Sequence, residues 1–199
     1  MNMKKILILS FRGSPRLKMI KSRLNKLKLK YKIIYGVNSK SKIGRKILNK
    51  NYNKKKTEFY IGRKLPFSEM SASFVHLKAY KYIVKNKIQK CIIMEDDAYP
   101  SNQIKKFFKE KFNKKKYIVG MMCYSGFVKK NPDFKLNKIF SIHKAKTHLL
   151  HISAYMCDIY FCKTILQYTK GKICGVSDWP LNLIKNEIYS SITLPYPVA

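Results

Sequence analysis

Three carboxylates stand side by side at Glu95, Asp96 and Asp97, in a chain whose formal charge is +33. Adjacent acids repel one another, and a divalent cation removes that cost, so the triplet reads as a metal site with hard oxygen ligands. The four residues before it, Cys91, Ile92, Ile93 and Met94, form a continuous apolar run, as in a strand buried on both faces. Carboxylates at the end of such a strand lie at the rim of a sheet, where α/β proteins bind ligands. The plain alternative is a solvated turn after a strand.

A second stretch able to do chemistry is Gly175-Val176-Ser177-Asp178-Trp179-Pro180. It sets an isolated acid beside the only Trp. An indole face stacks on sugar rings, and a carboxylate next to it can remove a hydroxyl proton. The same residues also suit a helix start, with Ser177 or Asp178 as its cap and Trp179 buried. His143, His148 and His151 lie close together and can supply a metal ligand. His76 falls within a helical pattern, where a lone His is usually a packing or surface residue.

The elements that must position these groups can be read in order. Lys5 to Ser10 is a strand. Ser14 and Pro15 suit a helix start, and Leu17, Ile20, Leu24 and Leu27 recur at helical spacing. Tyr31 to Val37 is a second strand, which completes a β-α-β unit. Residues 38–64 are rich in Lys and Asn and read as a long, mobile, solvated connection with one short helix near Ile43 to Leu48. Pro66 to Lys85 is a helix, with Ser68 or Ser71 as its cap and Glu69 at its positive end. After the Cys91 strand come a basic helix from Ile104 to Phe112, a strand from Tyr117 to Met122 and an irregular stretch from Cys123 to His151. A strand from Ile152 to Phe161, a short helix from Lys163 to Tyr168 and a strand from Ile188 to Leu194 close the chain. This is an α/β pattern in one domain over residues 1–199, with no internal repeat.

Composition narrows the field. The chain is 46% apolar and 13% aromatic, which excludes disorder. The basic excess suits an anionic membrane surface or nucleic acid. Arg occurs only at 12, 16, 23, 45 and 63, and the remaining cations are Lys. Base and phosphate readout favours Arg forks, so nucleic acid is the weaker partner. The five Cys show no metal-type spacing and lie in apolar runs, as buried thiols of a reducing compartment do. No run approaches the roughly 20 apolar residues that span a bilayer. The expectation is a cytoplasmic protein that meets a membrane only peripherally.

Four landmarks in order resemble glycosyltransferase family 25, the lipooligosaccharide-biosynthesis galactosyltransferase type. Arg12-Gly13-Ser14-Pro15-Arg16 after the first strand is similar to the family's opening N-L-x-R-S-x-x-R. Leu65 to His76 is similar to L-T-x-G-E-x-G-C-x-x-S-H in Leu65, Glu69 and His76, with Ser68 and Ser71 where the family has glycine. Ile92 to Asp97 is close to I-x-L-E-D-D. Ala154-Tyr155 and Ser177-Asp178-Trp179 are like the family's A-Y and V-D-W.

The resemblance implies a GT-A-like nucleotide-sugar fold with a mostly parallel sheet. It also implies a UDP-sugar donor (UDP-galactose first), a lipooligosaccharide or glycan acceptor, and inverting transfer assisted by Mn2+ or Mg2+. Carried over onto this chain, Glu95 and Asp97 hold the metal. Arg12, Arg16, Glu69, His76 and Asp96 bind the donor, Asp178 is the base, and Trp179 binds the acceptor. Two other classes stay open: an inactive glycosyltransferase-like binding protein and a basic nucleic-acid-binding protein.

Overall fold

The computed structural model describes residues 5–109, 114–125, 130–145, 149–177, 188–194 and 198. Its elements in chain order are β1 (Lys5–Ser10), α1 (Arg16–Lys26), β2 (Tyr31–Tyr35), α2 (Lys42–Lys50), α3 (Lys54–Ile61), α4 (Phe67–Lys85) and β3 (Lys90–Glu95). There follow α5 (Ile104–Lys109), β4 (Tyr117–Ser125), β5 (Phe134–Lys135), β6 (Ser141–Lys144), β7 (Leu149–Asp158), α6 (Ile159–Thr169) and β8 (Tyr189–Leu194). One sheet runs in the order β2-β1-β3-β7-β4-β8-β6-β5.

The sheet is mixed. β1 pairs parallel with β2 and β3, and β4 with β8, whereas the β3/β7, β4/β7, β5/β6 and β6/β8 pairs are antiparallel. This corrects the expectation of a mostly parallel sheet. The parallel part is confined to the opening β-α-β-α-β run and the β4/β8 pair. Beyond that opening run β7 enters between β3 and β4 in the opposite direction.

Side-chain alternation gives the sheet two apolar faces. Leu7, Leu9, Cys91, Ile93 and Tyr155 pack with α4 and α6 on one face. Ile6, Ile8, Ile92, Met94, Ala154 and Met156 pack with Ile20 and Leu24 of α1 and Ile104 and Phe107 of α5 on the other. Both faces of β1 and β3 are thereby covered, which explains why these strands read as unbroken apolar runs.

Residues 38–64 fold as two helices rather than as a connection with one. Ser41 Oγ accepts from Gly44 N and caps α2, while Asn53 Oδ1 accepts from Lys56 N and caps α3. Gly62, at φ 74°, ends α3 in the left-handed region. The sequence pattern hid α3 because Lys54-Lys55-Lys56 carries no apolar spacing, although its caps are local signals.

Helix caps, one strand end and one irregular stretch also depart from expectation. No side chain caps α1 or α4. Ser14 Oγ is buried without a hydrogen bond, and Ser71 Oγ instead donates to the Val37 carbonyl at 2.6 Å. The strand expected through Phe161 stops at Asp158, whose carboxylate accepts from Phe161 N at 2.7 Å and starts α6. Two short strands, β5 and β6, occupy part of the stretch read as irregular.

Candidate active site

The chain runs from β1 through α1 to β2 on one side, then through α4 to β3 on the other. α1 and α4 cover opposite faces. The crevice outside the carboxyl ends of these strands is where open α/β sheets bind ligands. A cleft of about 530 Å³ opens there. Its floor is Ser10, Glu95 and Asp96, with Arg16 beside them. The opposite wall is Asn38, Ser39 and Lys40 together with Ser68 and Ser71 of α4. The volume lies within the range of small-molecule sites.

The three adjacent acids have three different environments. Register puts Leu9 opposite Glu95, so Ser10 comes level with Asp96. Ser10 Oγ donates to Asp96 Oδ2 at 2.7 Å, and Arg16 Nε lies 3.2 Å from Asp96 Oδ1. Asp96 is buried, and both its oxygens are engaged. Asp97 is exposed and accepts from Arg16 Nη1 at 3.1 Å. Burial and the neighbouring Glu95 charge push the Asp97 carboxyl above the ordinary carboxylate range, and Arg16 opposes them. Glu95 turns to the other face of the sheet, where its Oε1 meets His76 Nε2 at 3.1 Å.

His76 is buried on α4, and its Nδ1 lies 2.7 Å from the Tyr155 hydroxyl, which in turn lies 2.8 Å from that of Tyr80. Ser10, Tyr155 and Tyr80 are site residues that sequence reasoning did not single out for chemistry. Tyr155 did fall in a family landmark, whereas Ser10 carried no signal beyond closing the first strand.

The structure brings Arg16, Glu95, Asp96 and Asp97 together and sets His76 behind Glu95. It does not bring Arg12 or Glu69 to the cleft. The Arg12 guanidinium lies 5.2 Å from the centre of the Tyr35 ring, and Glu69 takes a paired hydrogen bond from Arg63 Nη2 at 2.9 and 3.0 Å. Asp178, Trp179 and His148 lie outside the described residues. His143 bonds Ser141 Oγ through Nε2 at 2.8 Å on β6, and His151 is exposed on β7. Among the described residues no group of three or more His, Cys, Asp and Glu is arranged to hold a metal ion.

A pair of carboxylates suffices where a ligand's phosphates complete the shell, as at Mg2+ sites. Glu95 and Asp97 fit that pattern. One Glu95 oxygen is left after His76, and the like-charge strain on Asp97 is what a cation relieves.

The fold is a mixed α/β one with an acidic cleft at its strand ends, and comparison assigns the family. The chain belongs to glycosyltransferase family 25 (LPS biosynthesis protein), whose model matches residues 3–175. No curated protein sequence matches it. Among solved structures it is similar to mannose-1-phosphate geranyltransferase from Thermus thermophilus, with a TM-score of 0.53 at 7% identity over 100% of this chain and 76% of that one. A second is the inositol-1-phosphate CTP transferase from T. maritima, with a TM-score of 0.42 at 11% identity over 97% of this chain and 89% of that one. The first likeness is one of fold alone.

Proposed function

We propose that this glycosyltransferase moves a hexose, galactose first, from a UDP-sugar to a hydroxyl of a lipooligosaccharide or other glycan acceptor, with inversion. The observation that carries the reading is the cleft at the ends of β1 and β3. It combines a paired-carboxylate edge, an arginine and a small polar wall in one space of about 530 Å³. In the reaction the acceptor oxygen forms a bond to the anomeric carbon as the carbon–oxygen bond to the diphosphate breaks. A divalent cation, Mn2+ or Mg2+, would be held by Glu95 and Asp97, and when bound it neutralises the charge on the departing diphosphate.

Arg16 would take part in that neutralisation. Its guanidinium already spans Asp96 and Asp97 and is half-exposed, so it can turn a face to phosphate oxygens. Ser10 holds Asp96, and Asp96 in turn holds Arg16. Asn38, Ser39 and Lys40 offer polar groups for the nucleoside. Asp178 is assigned the acceptor proton and Trp179 the acceptor ring, on the strength of the family resemblance.

The acceptor's anionic setting suits the basic surface. Lys42, Arg45, Lys46 and Lys50 on α2 and Lys54 and Lys55 on α3 stand exposed, as do Ile43 of α2 and Phe59 of α3, at 75% and 81%. Glu58 is the only acid on either helix. Exposed apolar side chains on Lys-rich helices suit the interface of an anionic bilayer. No helix among the described residues is long and apolar enough to cross a membrane.

Calorimetric titration of UDP and UDP-galactose, with and without Mn2+, tests the reading on wild type and Asp97→Ala. Metal-dependent binding that is lost in Asp97→Ala supports it. No nucleotide binding under any condition would favour an inactive relative.

A further inference from the structure

The buried run from Glu95 through His76 and Tyr155 to Tyr80 has a direction. An ionised Glu95 only accepts, so His76 Nε2 carries the proton it shares at 3.1 Å. Neutral imidazole then has a bare Nδ1, which accepts from the Tyr155 hydroxyl at 2.7 Å. The Tyr155 oxygen is left to accept from Tyr80 at 2.8 Å. Burial holds Tyr155 as the neutral phenol that this order requires. In the neutral Nε2–H tautomer every hydrogen bond in the run points toward the carboxylate.

The packing allows His76 little freedom. His76, Tyr155 and Tyr80 are each about 2% exposed. The Tyr155 ring lies parallel to the imidazole, with planes 10° apart and centroids at 5.7 Å, and Tyr80 meets it edge-on at 60°. Tyr80 is itself braced edge-on by Phe161 of α6, at 88° and 5.6 Å. Tyr155 sits opposite Ile93 on β7, and Ile93 shares a sheet face with Glu95. The run therefore ties α4, β7 and α6 to one oxygen of one carboxylate.

We propose that His76 is a positioning residue, fixed by Tyr155 and Tyr80 in its Nε2–H tautomer, which holds Glu95 Oε1 and leaves the other Glu95 oxygen aimed into the cleft for the donor's metal. This rests on the reading of the cleft as a metal-assisted donor site. It departs from a role for His76 as a direct donor ligand, since the ring is buried behind Glu95 and does not line the cleft. Partners of this kind orient a metal ligand without touching the metal.

Tyr155→Phe keeps the ring and deletes the one hydroxyl. Its Mn2+-dependent affinity for UDP, measured by calorimetry, should fall about 10- to 100-fold, while metal-free UDP affinity stays within about twofold. In a Glu95→Gln background the same substitution should cause no further loss of the Mn2+-dependent part. A general loosening of the fold would lower both affinities and would add to Glu95→Gln. Nitrogen-15 spectra of His-labelled protein, with His76→Gln for assignment, should show His76 with Nδ1 bare and Nε2 protonated.

Wild-type Mn2+ dependence in Tyr155→Phe, or a His76 ring protonated at Nδ1, would overturn the positioning role and leave the donor-site reading standing. Absence of Mn2+-dependent UDP binding in the wild type would overturn the donor-site reading and the positioning role with it.

Discussion

Ser10 and Asp96, 86 residues apart in sequence, share a buried hydrogen bond of 2.7 Å from Oγ to Oδ2. It joins the ends of β1 and β3 under the cleft and leaves the second Asp96 oxygen for Arg16. A hydrogen bond to a buried charged group contributes about 1.5–3 kcal/mol, more than a neutral one, and its loss leaves the carboxylate underpaired. Ser10→Ala should therefore cost about 2 kcal/mol, a fall in Tm of about 4–8 °C for a chain of this length. Thermal unfolding of the two proteins measures it. An unchanged Tm would mean that water replaces the hydroxyl and that the floor of the cleft is not held in this way.

Gly44 lies within α2, where Ala normally stabilises a helix by about 1 kcal/mol relative to Gly. Here the sign should reverse. A Cβ at this position would stand 2.0 Å from the Asn38 carbonyl oxygen and 2.8 Å from Ser41 Oγ. Asn38, Ser39 and Lys40 form a wall of the cleft, so relief of the clash must move that wall. Gly44→Ala is expected to destabilise by about 1–3 kcal/mol and to weaken UDP binding. A more stable variant with unchanged affinity would show that the turn yields freely.

Asp158 caps α6 and also accepts from Lys116 N at 2.9 Å. Burial raises its carboxyl above the ordinary carboxylate range, and the backbone N–H groups of Phe161 and Lys116 oppose that rise. A raised folded-state value favours the protonated form. The stability it contributes is fully present below the unfolded carboxylate value near 4 and is lost as pH climbs through the folded one. Asp158→Asn has no charge to titrate. Wild type should therefore lose Tm relative to Asp158→Asn as pH rises above about 4. A difference independent of pH, or one that grows in favour of wild type, would refute the assignment.

Ile43 and Phe59 are mostly exposed, and the Phe59 ring meets its chain neighbour Tyr60 edge-on at 5.0 Å at the surface. Replacing both by Ser should leave stability within about 0.5 kcal/mol. If α2 and α3 meet an anionic bilayer, the double variant should bind vesicles containing phosphatidylglycerol about 100-fold less well at low salt, as lost burial of two large apolar side chains at about 1.5 kcal/mol each requires. Vesicle sedimentation across a salt series reads this. Equal binding by both proteins would place the membrane contact elsewhere or remove it.

Much of the framework was legible in the chain. Continuous apolar runs marked β1 and β3 because both faces of those strands are covered, and the spacing of Ile20, Leu24 and Leu27 marked α1 because one face of that helix is buried. The elements that escaped, α3, β5 and β6, are short: α3 buries only Thr57, β5 has two residues, and β6 buries Ile142 within only four. Their stability comes from caps and edge pairing, and these leave no periodic trace.

The sequence by itself determined that three acids end a buried strand in a basic α/β chain, and its ordered landmarks pointed to the family. It divides the acids only by that resemblance, because adjacent residues look alike in one dimension. The tertiary structure gives them different partners through the pleat and the register. Successive side chains leave β3 on opposite faces, so Glu95 meets His76 from α4 while Asp96 meets Ser10 and Arg16 from β1 and α1. The same packing drew Glu69 away to Arg63 and Arg12 to Tyr35, although both stand in motifs that resemble donor-binding ones. Residue type and spacing say what a group can do, but which partner it finds depends on the strands and helices that fold against it.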